Sequence, residues 1–292
     1  MEGVIIQGRG GLYTVEDSAG GAYVLRAKNR FRRQHISPLV GDRVLFTPGS
    51  VSDEHGWIDE ILPRDSVFVR PPVANVTLMA LVVAPEPAPD LLLVDRLLVQ
   101  VRRGGLKAAL IVNKSDLEPG LAGKMQAQYR GADVPVLTVS ALTGQGEKEL
   151  LDIIGAETVC LSGQSGVGKS TLINRLMDLS VETGDISPRI RRGRNTTRHV
   201  ELFRGKDFRL MDTPGFSLIT LETEVSDPVF LREEYPEFRL DEDCRFNPCY
   251  HQGEPGCAVR RAVDAGLIDR SRYDRYIVLL RETQEAWRNR YD

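Results

Sequence analysis

Residues 159–171 contain the feature that most constrains this chain: an apolar strand, a glycine-rich turn and the start of a helix. The spacing from Gly163 to Ser170 is G-x-x-x-x-G-K-S, the phosphate-binding P-loop pattern. Glycines let the turn aim successive N–H groups at an anion, and the helix N-terminus adds positive potential there. We therefore predict nucleotide phosphate binding by Gly163, Gln164, Ser165, Gly166, Val167, Gly168, Lys169, Ser170 and Thr171. Lys169 would reach the β- and γ-phosphates, and Ser170 would ligate Mg²⁺.

The composition is that of a globular protein with more than one domain. The 292 residues are 41% hydrophobic and carry a formal net charge of −3, which gives no global attraction to nucleic acid. The sequence has no apolar run long enough to span a bilayer and no signal-peptide pattern at its N-terminus. We expect a cytoplasmic monomer with no membrane or DNA partner.

Residues 1–66 are rich in glycine and in short apolar alternations, which predict about five strands and a small barrel of the oligonucleotide-binding (OB) type. A basic group lies between the third and fourth predicted strands, with Phe31 inside it. Its members are Arg26, Lys28, Arg30, Arg32 and Arg33. We interpret the group as an RNA-binding face on which an aromatic ring could stack; the alternative is an ordinary solvated loop.

Residues 67–220 alternate buried strands with helices, which indicates a mostly parallel sheet that binds its ligand at the carboxyl ends of the strands. Two polar segments follow such strands: Asn113-Lys114-Ser115-Asp116 and Ser140-Ala141. The Asp116 carboxylate can accept two hydrogen bonds from the N1–H and 2-amino groups of guanine, which adenine lacks. Beside a P-loop, this N-K-x-D segment predicts guanine-nucleotide binding, with Ser140-Ala141 offering an N–H to the guanine O6.

A third segment, 212–215, reads D-T-P-G and completes the set. Asp212 would hold Mg²⁺ through water, and the Gly215 N–H would sense the γ-phosphate. Either Thr196 or Thr197 could contact Mg²⁺ from a switch. The same segment carries more positive charge than Mg²⁺ binding requires, which favours a loop that becomes ordered on RNA over a solvated loop. Its arginines are at 189, 191, 192, 194 and 198.

The order of these motifs is unusual because N-K-x-D and S-A precede the P-loop, whereas Ras-type GTPases carry them after D-x-x-G. The domain is therefore predicted to be circularly permuted. The chain passes directly from D-T-P-G into the C-terminal region, so we expect the nucleotide state to be coupled to that region.

Residues 221–292 contain three cysteines and a histidine within a short span. Cys244, Cys249, His251 and Cys257 match the ligand set of a closed, tetrahedral, structural Zn²⁺ site, with one ion per chain. Residues 258–266 and 271–287 read as helices. Five arginines there could contact RNA or be solvated: Arg260, Arg261, Arg270, Arg272 and Arg275.

Together the permuted motif order, the P-loop, Asp212-Thr213-Pro214-Gly215-Phe216 and the cysteine–histidine cluster resemble the ribosome small subunit-dependent GTPase A family over the whole chain. The resemblance implies a GTPase that binds the small ribosomal subunit and its rRNA, acts as a release switch late in maturation, and is slow alone but stimulated by that subunit. It implies a multidomain α/β protein: an OB-type barrel (1–66), a permuted P-loop GTPase domain (67–220) and a zinc-binding helical domain (221–292).

The sequence departs from the family and from Ras-like enzymes at the catalytic position. Phe216 follows D-T-P-G, where Ras-like enzymes have a water-positioning glutamine, and Asn195 replaces a histidine common in the family. Asn195 and His199 are the candidates for the catalytic role, which the sequence does not assign. Two other functions stay open: an RNA-binding module that holds GTP without useful turnover, and a GTPase metallochaperone.

Overall fold

The computed structural model describes residues 1–50, 55–68, 72–182, 200–212, 227–240 and 243–290. The chain divides into two compact units. One comprises Met1–Ala80, Leu150–Ser162 and Lys169–Phe216, and the other comprises Leu81–Glu149, Gly163–Gly168 and Ser217–Asp292. These two units do not correspond to the three domains predicted from the sequence, because those domains were defined by motifs and the units by compactness. The boundaries of the three domains stay a prediction.

A five-stranded barrel forms the N-terminal part of the first unit. Its strands are β1 (Glu2–Arg9), β2 (Leu12–Asp17), β3 (Ala22–Ala27), β4 (Arg43–Thr47) and β5 (Gly56–Ile61), with helix α1 (Asn29–Arg33) after β3. The barrel closes because β1 pairs with both β2 and β4, and β5 pairs with both β3 and β4. Alternate residues such as Ile5, Val15 and Leu25 are fully buried inside it. The predicted OB-type barrel is confirmed.

The same unit extends β1 into a second group of strands. The short strands β6 (Val67–Phe68) and β7 (Val73–Ala74) pair with each other. The strand β11 (Thr158–Ser162) pairs in parallel with β13 (Arg209–Asp212), and β12 (Glu201–Arg204) joins β13 to β1 by antiparallel pairing. Helix α5 (Lys169–Glu182) buries an apolar stripe that includes Leu172 and Leu176.

The second unit contains the remaining parallel strands. The strand β8 (Leu78–Val83) enters it from the first unit and is buried along its whole length. The strands β9 (Lys107–Val112) and β10 (Val136–Thr138) pair in parallel. Helices α2 (Leu91–Arg103) and α3 (Leu121–Gln128) connect these strands, and α4 (Glu147–Ile154) begins in this unit and ends in the first. This alternation of strands and helices confirms the predicted α/β class.

The C-terminal region of the second unit is helical. Two short 3-10 helices, Pro228–Glu234 and Pro236–Phe238, precede α6 (Ala258–Asp264) and α7 (Arg270–Arg288). Their apolar residues share one buried cluster with Val99 of α2. Within the described ranges, no helix is long and apolar enough to cross a membrane.

Candidate nucleotide site and metal centre

The P-loop has the strand–turn–helix geometry that its spacing predicts. It follows β11, and α5 begins at Lys169. Gly163, Gly166 and Gly168 all have positive φ values, of 146°, 86° and 94°. A Cβ on Gly163 would lie 2.1 Å from the Val82 carbonyl oxygen. The loop therefore requires glycine for both its backbone conformation and its close approach to β8.

Asn113 joins the three predicted nucleotide-binding segments of the second unit. Its Nδ2 donates to the Val167 carbonyl over 2.9 Å, and its Oδ1 accepts from the Ala141 N–H over 3.1 Å. The side chain is 1% exposed. One buried amide thus holds the N-K-x-D loop, the P-loop and the Ser140-Ala141 loop together.

The rest of the N-K-x-D segment is positioned by neighbouring loops. Asp116 is exposed, and its Oδ1 accepts a 2.5 Å hydrogen bond from the Ser140 hydroxyl. Lys114 donates through Nζ to the Glu86 carbonyl over 2.7 Å. Ser115 donates to Gln145 and does not face the solvent. Asp116 therefore offers a fixed carboxylate to a ligand.

Three of the predicted ligand groups, Lys169, Ser170 and Asp212, lie in the first unit. Burial lowers the pKa of the Lys169 ammonium below its ordinary value, and the negative charge of Asp212 opposes this shift. Asp212 is 7% exposed and ends β13, whereas Ser170 is exposed in the first turn of α5. A partly desolvated ammonium gains from a phosphate placed beside it, which fits the predicted role of Lys169.

Several predicted residues lie outside the described residues. These are Asn195, Thr196, Thr197, His199, Gly215 and the arginines at 189, 191, 192, 194 and 198.

The predicted zinc ligands converge in the second unit. The ligand atoms of Cys244, Cys249, His251 and Cys257 all lie within 4.8 Å of one another. His251 Nδ1 is 3.4 Å from the Cys257 Sγ and 3.6 Å from the Cys244 Sγ. Three sulfurs and one imidazole nitrogen at this spacing fit a tetrahedral Zn²⁺ with no open position.

The surroundings of this cluster suit a metal centre. Two N–H groups of the first turn of α6 point at cluster sulfurs: Ala258 at Cys244 over 3.4 Å, and Arg260 at Cys257 over 3.5 Å. Burial raises the pKa of the Cys249 thiol to about 12 and lowers the pKa of His251 to about 4. The histidine is therefore neutral at pH 7, as a ligand must be, and a cation would offset the cost of the thiolates.

The structure corrects two interpretations of basic and aromatic residues. Phe31 is the buried residue of α1 and is only 5% exposed, and the Arg30 guanidinium lies 5.1 Å from its ring centroid, so it does not offer a free ring for base stacking. Arg272 is 1% exposed and forms ion pairs with Asp95 and Glu237, so it is neither solvated nor placed for RNA contact. Arg275 also pairs with Asp95, over 2.5 Å.

Sequence reasoning missed the contribution of the proline-rich loop 85–90. This loop supplies the Glu86 carbonyl that holds Lys114, and its Asp90 N–H donates to the Gln164 Oε1 over 2.9 Å. Its position directly after the buried strand β8, at the edge where the other motifs lie, was the available signal.

Comparisons with known proteins agree with this arrangement. The profile of the RsgA GTPase family matches residues 61–222, and that of the RsgA N-terminal domain matches residues 2–58. The chain is 41% identical over 292 residues to a small ribosomal subunit biogenesis GTPase RsgA of Geobacillus thermodenitrificans, covering 97% of this chain and 98% of that protein. It is 39% identical over 290 residues to the protein of the same name from Ruminiclostridium cellulolyticum, covering 97% and 94%.

Solved structures are similar over nearly the same length. The crystal structure of YjeQ from Thermotoga maritima matches with a TM-score of 0.78 and 31% identity, covering 97% of this chain and 98% of that one. The crystal structure of YloQ, described as a circularly permuted GTPase, matches with a TM-score of 0.72 and 30% identity, covering 97% and 95%. These likenesses support the predicted permuted fold.

Proposed function

Because this chain belongs to the RsgA GTPase family, we propose that it hydrolyses GTP to GDP and phosphate and acts as a switch in maturation of the small ribosomal subunit. The observation that carries the nucleotide assignment is Asn113, whose buried amide bonds both the P-loop and the Ser140-Ala141 loop. Segments suited to phosphate and to guanine are thereby held in one arrangement. The relatives' names supply the ribosomal part of the proposal.

The nucleotide would be bound by the P-loop residues 163–171 and by the segments 113–116 and 140–141. The P-loop N–H groups and Lys169 would neutralise phosphate charge, and Asp116 would select guanine. The Ser170 hydroxyl and, through water, the Asp212 carboxylate are hard oxygen donors that suit Mg²⁺. When bound, Mg²⁺ neutralises charge on the β- and γ-phosphates.

Hydrolysis requires a group that positions water, and Phe216 cannot supply one. Asn195 and His199 are the candidates on this chain, and the ribosome is the candidate in trans. Thr196 or Thr197 would contact Mg²⁺, and Gly215 would sense the γ-phosphate. A site completed by its partner predicts slow turnover by the isolated protein.

The Cys244, Cys249, His251 and Cys257 cluster would hold one structural Zn²⁺ per chain. Its four donors leave no position for substrate, so a catalytic metal is not proposed. With the ion bound, the cluster would hold residues 244–257 in one conformation.

We assign these functions to three domains: the barrel at 1–66, the GTPase domain at 67–220 and the zinc-binding helical domain at 221–292. The protein would be a cytoplasmic monomer. It would bind the small subunit and its rRNA but not DNA. Exposed Arg26, Arg30, Arg32 and Arg33 on the barrel support contact with RNA phosphates. Neither the metallochaperone nor the turnover-free RNA-binding module is favoured by the relatives' names.

The test is GTP turnover by the purified protein, with and without purified small ribosomal subunits, at low and moderate salt. We expect slow turnover alone, a large stimulation by small subunits, and none by large subunits. Absence of stimulation would contradict the proposed partner. Fast turnover without ribosomes, abolished by Asn195→Ala, would contradict completion of the site in trans.

A further inference from the structure

The proline-rich loop 85–90 contacts the nucleotide-binding segments at three places. Its Glu86 carbonyl accepts from Lys114 over 2.7 Å, and its Asp90 N–H donates to Gln164 over 2.9 Å. Pro87 lies beside the P-loop, because a Cβ on Gly166 would be 3.5 Å from the Pro87 Cδ. Loop 85–90 therefore borders the predicted nucleotide-binding segments, although it comes before all of them in the sequence.

The same loop is fixed to helix α2. Asp90 is the N-cap residue, and its Oδ1 accepts from the Leu93 N–H over 2.9 Å. The cap bond joins loop 85–90 to the first turn of α2, so a displacement of the loop would move that turn. A shift of Gln164 or Lys114 would thus displace the first turn of α2.

One helical turn further on, α2 is held by a buried ionic cluster. Asp95 is fully buried and accepts from Tyr129, Arg272 and Arg275. The Arg272 guanidinium lies between two aromatic rings, 4.9 Å from the Tyr129 centroid and 4.5 Å from the Tyr235 centroid. The position of α2 is therefore tied to that of α7 by charges that water cannot screen.

Arg272 continues the connection into the C-terminal region. Its Nε donates to the Glu237 Oε1 over 2.7 Å, which fixes the second 3-10 helix. The next residue, Phe238, packs edge-on against His251 of the metal centre, with ring centroids 5.5 Å apart. An unbroken set of contacts thus runs from the P-loop through α2 and Arg272 to the cysteine–histidine cluster.

The buried ionic cluster has spare hydrogen-bonding capacity. Four buried atoms in and beside it have no hydrogen-bond partner among the described residues: Tyr235 Oη, Glu237 Oε2, Arg272 Nη2 and Arg275 Nη2. Charged groups with unused donors and acceptors beside them can change hydrogen-bond partners when α2 shifts. A cluster in which every atom already has a partner would instead oppose the shift of α2.

We propose that loop 85–90 and α2 form a link through which nucleotide binding and the C-terminal metal-binding region stabilise each other, with Gln164 and Arg272 as the positioning residues at its two ends. This inference rests on the proposed guanine-nucleotide site. By linkage, the factor by which GDP favours the closed over the locally opened C-terminal region equals the factor by which the closed form binds GDP more tightly than the opened form.

The test is amide hydrogen exchange of the full-length protein with and without saturating GDP. GDP should slow exchange at residues 163–168 and also at residues 228–238, the latter by about 5-fold or more. Arg272→Lys keeps the charge but cannot reproduce the forked pairing with Asp95 and Glu237. It should abolish the GDP effect at 228–238 and weaken GDP binding by about the same factor. Arg281→Lys, an exposed position on the same helix, is the matched control and should change neither.

Gln164→Ala removes the acceptor of the Asp90 N–H and leaves the P-loop glycines and backbone N–H groups in place, so it tests the link if Arg272→Lys does not fold. At saturating GDP it should retain protection at 163–168 and lose it at 228–238, whereas the exposed Gln126→Ala control should retain both. Protection at 163–168 without protection at 228–238 in the unaltered protein overturns the link and leaves the proposed function standing. Equal protection at 228–238 in Gln164→Ala also overturns the link. Failure of GDP to protect 163–168 at all overturns both.

Discussion

The Asn113 side-chain amide donates a 2.9 Å hydrogen bond to the Val167 carbonyl, across a separation of 54 residues in sequence. The same side chain accepts from the Ala141 N–H, so its donor and its acceptor are both used within the protein. The N-K-x-D asparagine therefore braces the loops even without a nucleotide. Circular permutation changes which of these loops comes first in the chain, but this brace depends only on where the strands end.

Replacing Asn113 with alanine should weaken GDP and GTP binding. The change leaves a buried carbonyl at Val167 and a buried N–H at Ala141 without partners, which costs about 1–3 kcal/mol. Nucleotide affinity should fall by roughly 5- to 150-fold. Titration with a fluorescent GDP analogue measures the loss, and Asn29→Ala, an exposed position in the barrel, is the control. Unchanged affinity would mean that the brace does not organise the site.

Replacing Asp116 with asparagine should change base preference. An amide cannot accept from both the N1–H and the 2-amino group of guanine, but it can donate to the carbonyl at that position of xanthine. We expect GTP binding to weaken roughly 100-fold or more and xanthosine triphosphate binding to improve. Competition titrations with both nucleotides measure this change in base preference. Asp152→Asn, at an exposed position, is the control. Equal GTP affinity in the Asp116 variant would contradict the base-reading assignment.

Local spacing predicted the parts of the molecule that depend on local chemistry. The glycines of the P-loop and the four members of the cysteine–histidine cluster are close in sequence, so their geometry follows from turns. The buried pairing of Arg272 with Asp95 was not predictable, because its partners are 177 residues apart and an arginine on a helix is usually solvated. Phe31 was misjudged because its basic neighbours suggested an exposed face, whereas α1 buries the Phe31 ring and leaves Arg30, Arg32 and Arg33 exposed.

The exposed arginines of helix α1 should contribute to binding the small subunit. Replacing Arg30, Arg32 and Arg33 together with glutamine should weaken binding and reduce its salt dependence, with the slope falling by about 0.7–0.9 for each phosphate that these side chains neutralise. Lys28→Gln should have a smaller effect because Lys28 already pairs with Asp59 over 2.5 Å. Sedimentation with small subunits at several salt concentrations makes the comparison. An unchanged salt slope in the triple variant would place the RNA-binding surface elsewhere.

The Lys28–Asp59 pair also gives the barrel an acid-sensitive contact. Hydrogen bonds from Lys28 and then from Thr47 lower the pKa of Asp59 below its ordinary 3.8. A lowered folded-state pKa contributes stability that is present above pH 3.8 and disappears as pH falls through the folded value. Lys28→Gln should move the Asp59 pKa up toward 3.8, as measured by NMR titration of its carboxyl carbon, while Arg33→Gln should not. An unmoved pKa in the Lys28 variant would refute the assigned cause.

Removing one cysteine of the metal cluster should release zinc and loosen the C-terminal core. Cys249 is 1% exposed and belongs to the buried cluster that contains Tyr276 and Leu279, so loss of the metal would leave polar sulfurs inside an apolar core. Cys249→Ser should fall from one zinc ion per chain to none, with loss of near-ultraviolet circular dichroism from the C-terminal tyrosines. Cys160→Ser, a buried cysteine on β11, should keep its zinc. Stoichiometric zinc in the Cys249 variant would contradict the four-ligand site.

Rapid exchange of zinc in the unaltered protein would instead favour metal delivery over a structural role, because a closed tetrahedral site releases its ion only when the surrounding fold opens.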